Sequence, residues 1–322
     1  MELLFTQIAG LKANGVGIIY ISHRIEEVLR IADRVTVLRD GKVVTTRDAA
    51  GWDSDDVIRL MVGRDLDRDA LAPGGRRGAL ALRAVRLRAG AKVRDVSFEA
   101  YRGEILGVAG LMGSGRTETM RLVFGADPLE AGSIYLHGSD KPSTIRRPSD
   151  AVQLGIALLT EDRKEQGLFL PLAIRANVSI AHLDDVSTLG WLSEAHEKAV
   201  AQRYVDSLDV RCSSCEQAVG QLSGGNQQKV VIAKWLYRDC DILIFDEPTR
   251  GIDVGAKFEI YRMLASLAQQ GKTIVFVSSD LKELMAISHR ILVLSAGRVA
   301  GTFARDGWSE EQIMSAAFSE YV

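Results

Sequence analysis

Two adjacent carboxylates, Asp246 and Glu247, close an apolar run at Asp241–Phe245. A buried strand that delivers acids at its carboxyl end puts them where open α/β sheets do ligand chemistry. One acid can hold Mg²⁺, directly or through water, and the next can orient or deprotonate an attacking water. Ser223, Gly224 and Gly225 stand at the head of an amphipathic segment, 23 residues ahead of Asp246. Backbone N–H groups, a hydroxyl and the positive end of a helix dipole suit a phosphate there. An Asp-Glu pair alone would equally fit a buried strand running into a solvated turn. The serine-glycine helix start makes that plainer reading poor.

A third group of residues points the same way. Gly110–Thr117 follows the phosphate-binding pattern G-x-x-x-x-G-K-[ST] with one departure, Arg116 where lysine belongs. The glycines let backbone N–H groups turn inward as an anion nest around Gly113, Ser114 and Gly115, and Thr117 Oγ can reach Mg²⁺. Glu118 follows in the same first helical turn. Arginine keeps the charge, but it is a planar fork where the loop is built around a compact ammonium. Glu161 lies 45 residues beyond Arg116, after the apolar run Gly155–Leu159.

LSGGNQQK at 222–229 and DEPTRGIDVGAK at 246–257 resemble the signature, Walker B and D-loop of ATP-binding-cassette (ABC) ATPases. Within that family they resemble the sugar-importer branch, and EDRKEQGL at 161–168 resembles its second cassette. The resemblance implies an α/β fold of the P-loop NTPase cassette type. That means a mixed core sheet flanked by helices, an antiparallel β subdomain and a helical signature subdomain over about 172–236. It implies ATP and Mg²⁺ as cofactors, with Thr117 and Asp246 on the metal and Glu247 as catalytic carboxylate. Gly110, Gly113, Ser114, Gly115, Arg116, Thr117 and Glu118 would hold nucleotide, together with Ser223, Gly224, Gly225 and Asp253. Glu161 occupies the position of the glutamine loop, and Ser279 that of the switch histidine. The implied partners are permease subunits, through them a periplasmic sugar-binding protein, and a second cassette, with no nucleic acid. The implied location is the cytoplasmic face of the inner membrane, held there peripherally.

These groups need strands and helices to place them. The chain opens on the helical segment Met1–Leu11, followed by an expected strand at Gly17–Ile21 and a helix from Ser22 to about Ala32. Two short strands, Arg34–Leu38 and Lys42–Thr46, come next. Shifting residues 1–62 by 256 positions aligns them without a gap on 257–318, with fifteen identities. Gly15 falls on Gly271, Ser22 on Ser278, Gly41 on Gly297 and Trp52 on Trp308. Chance similarity of two amphipathic patterns would not keep register over that span. The expected organisation is therefore the tail of one cassette (1–63), a charged Pro/Gly linker (64–79) and a second cassette (80–322). In this alignment His23 lies opposite Ser279, and the resemblance makes it the switch histidine of the first cassette. A lone histidine at a strand end is otherwise ordinary polar surface.

In the family two cassettes meet head to tail, each ATP lying between one P-loop and the other's signature. The expected protein is an N-terminally shortened fused sugar-importer ATPase. Its second site carries three altered positions, Arg116, Glu161 and Ser279, and would bind ATP more than turn it over. No aromatic stands in Arg86–Val93, where adenine would stack. The alternatives are a non-hydrolysing regulatory or structural nucleotide-binding cassette, or an importer for a nucleoside or other sugar-like solute. A cassette protein acting on ribosomes or DNA is disfavoured by the net charge of −2. The 322 residues are 47% hydrophobic and 25% charged, and no apolar run reaches the roughly 18–20 residues that span a bilayer. No signal peptide is visible. Three cysteines fit a reducing compartment, and Cys212-x-x-Cys215 reads as small side chains in a surface turn, not half a zinc site.

Overall fold

A computed structural model describes residues 2–22, 25–39, 41–62, 74 and 77–321. Two compact units separate, Met1–Arg68 with Ile252–Glu259, and Asp69–Gly251 with Ile260–Val322. Most of the expected linker at 64–79 lies outside the described residues.

In the first unit, helices Glu2–Ala13, Ile25–Ile31 and Ser54–Val62 accompany a hairpin of β1 (Arg34–Arg39) and β2 (Lys42–Asp48). Alternation along β1 sends Val35 and Val37 inward, where Ile25 and Val57 complete a small core with Trp52 against it. Asp53 caps the last helix, its Oδ1 accepting the Asp56 amide at 2.7 Å. The internal repeat holds for four consecutive elements. Ile25–Ile31, β1, β2 and Ser54–Val62 fall, 256 positions on, upon Leu281–Ile287, Arg290–Ser295, Arg298–Ala304 and Glu310–Phe318. Even the bulge recurs, between Val37 and Leu38 in one hairpin and between Val293 and Leu294 in the other.

One expected element fails. Gly17–Ile21 is not a strand, and Ile19 and Ile21 are each 92% exposed. Its repeat partner Thr273–Val277 is held between two parallel neighbours, whereas Gly17–Ile21 has none among the described residues. A lone apolar segment cannot satisfy its backbone as a strand without a ladder.

The second unit adds β3 (Leu80–Ala89), β4 (Val93–Tyr101), β5 (Ile105–Gly110), β6 (Ala131–Leu136) and β7 (Ile156–Leu159). The short β8 (Ser187–Thr188) and β9 (Trp191–Leu192) follow, then β10 (Ile242–Asp246), β11 (Thr273–Val277), β12 (Arg290–Ser295) and β13 (Arg298–Ala304). Among the described residues nine strands make one mixed sheet, ordered β6-β3-β4-β13-β12-β5-β11-β10-β7. The run β12-β5-β11-β10-β7 is parallel, while β3 pairs antiparallel with both β4 and β6. β7, β10 and β11 are buried at every residue, as parallel strands covered on both faces must be. Their carboxyl ends, with that of β5, point four loops to one rim. Those loops carry Gly110–Thr117, Asp246-Glu247, Ser278-Ser279 and Glu161.

The expected helical subdomain contains helices Ile174–Ser179, Glu194–Ser207 and Gly224–Tyr237. It also contains the hairpin β8-β9, which the helical pattern did not foretell. Cys215 is buried and Cys212 half-buried, so the pair is partly core, not a surface turn.

A histidine steadies the base of β5. His289 Nδ1 accepts the Ile105 amide at 3.0 Å, which puts the ring proton on Nε2. Burial lowers its pKa below the ordinary 6.5. Protonation would set an N–H against an N–H. The unfolded chain therefore binds a proton near pH 6.5 that the folded chain refuses, and stability falls as pH drops below that value. The thermal midpoint should decline as pH falls below about 6.5. His289→Asn, whose Oδ1 can accept the same amide, should flatten the decline.

Candidate nucleotide-binding site

The loop from β5 to helix Arg116–Val123 requires its glycines. Gly110 has φ +152°, and a Cβ there would meet the Leu294 carbonyl oxygen at 2.4 Å. At Gly115, φ is +94° and a Cβ would lie 2.3 Å from the Lys92 carbonyl oxygen. Gly113, also at positive φ, faces open space. Ser114 is buried, with an Oγ that has no partner among the described residues. Positive-φ glycines beside a helix N-terminus and an unsatisfied buried hydroxyl make a cradle suited to phosphate.

Arg116 is committed elsewhere than expected. Its Nη1 donates to the Ser278 carbonyl at 2.6 Å, and Nη2 stands 3.5 Å from Glu247 Oε1. Both side chains are only 11% exposed. The cation expected to serve a phosphate is paired with the carboxylate expected to handle the attacking water. A compact ammonium could not reach the same two acceptors in this forked way.

Asp246 ends β10 inside the protein, with Oδ1 lacking a partner among the described residues. Burial pushes its pKa up to about 6, opposed in part by the Thr117 hydroxyl. An orphaned, desolvated carboxylate beside a threonine hydroxyl fits a hard divalent cation. Glu247 adopts a left-handed backbone, φ +49°, with its amide donating to the Val277 carbonyl at 3.0 Å. Such a conformation in glutamate is held by its surroundings. Ser279 Oγ donates to Glu247 Oε2 at 3.1 Å. Burial raises the Glu247 pKa, while Arg116 and Ser279 act against it. The buried Glu283 accepts from both Thr249 Oγ1 (2.7 Å) and Ser278 Oγ (2.8 Å), tying together the loops after β10 and β11.

A cavity of about 460 Å³ opens between these loops, lined by Thr117, Glu161, Arg163, Asp246 and Arg250 among others. Glu161 forms an ion pair with Arg250, and Arg163 Nη1 donates to the Arg250 carbonyl at 3.1 Å. The remaining expected residues divide. Glu118 is ion-paired with Lys92 at 2.5 Å. Asp253 caps helix Val254–Gln269, its Oδ1 accepting the Ala256 amide at 2.9 Å. Ser223, Gly224 and Gly225 begin helix Gly224–Tyr237 and do not line the cavity. Ser223 is exposed, its Oγ accepting from the Asn226 side-chain Nδ2 at 3.0 Å. His23 lies outside the described residues. Three partners escaped the sequence reading: Arg163, Arg250 and Glu283. The first two lie inside the quoted motifs, but a charge in a turn looks like a solvated one until its partner is known. Glu283 had one signal, its identity with Glu27 across the repeat.

The family described as "ABC transporter" matches residues 93–250. A putative ribose/galactose/methyl galactoside import ATP-binding protein of Burkholderia ambifaria is 51% identical over 316 residues, covering 98% of this chain and 61% of its own length. Ribose import ATP-binding protein RbsA 3 of Rubrobacter xylanophilus is 48% identical over 317 residues, again 98% of this chain and 63% of that one. The chain thus spans about three-fifths of the length of these relatives. Among solved structures, the ADP conformation of an ATP-binding cassette of an ABC transporter superposes with a TM-score of 0.60 at 18% identity. That match covers 73% of this chain and 94% of the other. The fold is the cassette fold, residues 93–250 match the ABC transporter family, and relatives similar along nearly the whole chain bear ribose and galactose import names.

Proposed function

We propose that this chain is the ATP-binding part of an ABC importer for a monosaccharide, and that its own nucleotide site holds Mg-ATP without readily hydrolysing it. The observation that carries the second half is the commitment of Arg116 to Glu247 and to the Ser278 carbonyl. A carboxylate paired with a guanidinium and a serine hydroxyl is poorly placed to take a proton from water. The cradle from Gly110 to Thr117 would bind the phosphates, and Thr117 with Asp246 would hold Mg²⁺, which supplies charge neutralisation between phosphate oxygens. Ser223, Gly224 and Gly225 would close over the nucleotide of a second cassette, in cis or in another chain. Among the described residues no helix is long and apolar enough to cross a membrane. Work at the cytoplasmic face would therefore go through permease subunits, and the choice of sugar would lie with them and a periplasmic binding protein.

Titration calorimetry with Mg-ATP tests the site. The chain should bind, and Gly113→Asp should abolish binding by bringing a carboxylate into the nest. Gly113 is the residue to alter because it faces open space, whereas a side chain at Gly115 would strike backbone. Equal binding by both proteins would place the nucleotide elsewhere.

A further inference from the structure

Arg116 stays away from the phosphate cradle only while its two acceptors keep their places, and one buried side chain adjoins both. Glu283, in helix Leu281–Ile287, is 6% exposed. Its Oε2 accepts Thr249 Oγ1 at 2.7 Å and Ser278 Oγ at 2.8 Å, two hydroxyls on one oxygen. The Tyr261 hydroxyl joins the cluster, hydrogen-bonded to Glu283 and to Thr249. Hydrogen bonds that end on a carboxylate are the stronger kind, and a buried one holds its donors tightly.

Each of these hydroxyls is a short step from an acceptor of Arg116. Ser278 gives its Oγ–H to Glu283 and offers its carbonyl to Arg116 Nη1 at 2.6 Å. The same Oγ accepts the Asp280 amide at 3.1 Å, which fixes the Ser278 side chain from both ends. Thr249 stands two residues after Glu247, whose Oε1 lies 3.5 Å from Arg116 Nη2. A guanidinium is a rigid planar fork, so it engages two acceptors at once only when their separation matches its own. We infer that Glu283 is a positioning residue: by holding Thr249 and Ser278 it keeps the Glu247 carboxylate and the Ser278 carbonyl at the spacing that the Arg116 fork spans, and so keeps Arg116 off a bound phosphate. The serine-glutamate pair recurs 256 positions earlier as Ser22 and Glu27, at the same spacing, although His23 stands there in place of Ser279. The pair is thus independent of the residue between, as suits a device that sets backbone and not chemistry.

This inference rests on the reading of the cradle from Gly110 to Thr117 as a Mg-ATP site, and the experiment separates the two. Glu283→Met keeps the side chain's length and removes its acceptors. The change is made in the native chain and in Arg116→Lys, and calorimetry follows Mg-ATP binding by the four whole chains, with thermal midpoints to show that each is folded. In the native chain Glu283→Met should tighten binding by about threefold or more, because Arg116 is released toward the phosphates. In Arg116→Lys, where there is no fork to release, the same change should alter affinity by less than about twofold. Ser278→Ala deletes the hydroxyl and keeps the carbonyl, so it should reproduce both results, and it stands in should Glu283→Met fail to fold. The sign carries the test. A carboxylate that only glued two loops together would, on removal, loosen the site and weaken binding in both backgrounds. Unchanged or weaker binding by either folded variant, or a tightening that survives in Arg116→Lys, overturns the role of Glu283 and leaves the nucleotide site standing. No Mg-ATP binding by the native chain or any variant overturns the site reading and this inference with it.

Discussion

Arg116→Lys is expected to tighten Mg-ATP binding by this chain about tenfold, equivalent to roughly 1.4 kcal/mol. The guanidinium is held by two acceptors on the far side of the site, the Ser278 carbonyl and Glu247. Binding phosphate with Arg116 requires breaking that nearly buried pair, and an uncompensated carboxylate would be left behind. Lysine carries the same charge on a slimmer stem, bonds a phosphate as a point charge and cannot fork between the two present acceptors. Calorimetry on both proteins decides the matter. Unchanged or weaker binding by the lysine variant would mean that the loop is adapted to arginine.

Larger still is the effect expected at the signature. In an assembled transporter, Ser223→Arg or Gly224→Asp should lower ATP turnover by more than about a hundredfold, the scale of losing donors aimed at developing charge. Ser223 is exposed at the head of its helix and caps nothing in this chain, so its replacement leaves the cassette folded. His23→Ala should be as damaging, because the resemblance assigns it to the same shared site. Glu247→Gln should cost no more than about threefold, since its carboxylate already sits in a pair with Arg116. Phosphate release by the four reconstituted variants measures the asymmetry. Equal damage from Glu247→Gln and Ser223→Arg would make the chain's own site catalytic.

Much of this site could be read before any coordinates. Apolar runs that end in chemistry-bearing residues and recur between helical segments read as buried parallel strands, so β5, β10 and β11 and the residues at their ends were legible. The repeat was legible too, because register survives where fifteen identities fix turns, caps and core positions together. What escaped was whatever depends on a partner distant in sequence. Arg116 was expected on the phosphates because a motif describes the loaded site, while its present partners lie 131 and 162 residues away. Gly17–Ile21 has the composition of a strand, but composition cannot report whether a neighbouring ladder exists. Asp253 and Glu118 carry the residue types of a binding site, yet a helix cap and an ion pair engage them.

Single-turnover hydrolysis is the most direct measure of a site that holds ATP without cleaving it. The chain, in excess over Mg-ATP labelled at the γ-phosphate, is held at a concentration where calorimetry puts nearly all the nucleotide on the protein. Intact ATP should be recovered over many dissociation half-times, with Glu247→Gln making no difference. Release of one phosphate per bound ATP, abolished by Glu247→Gln, would contradict the account.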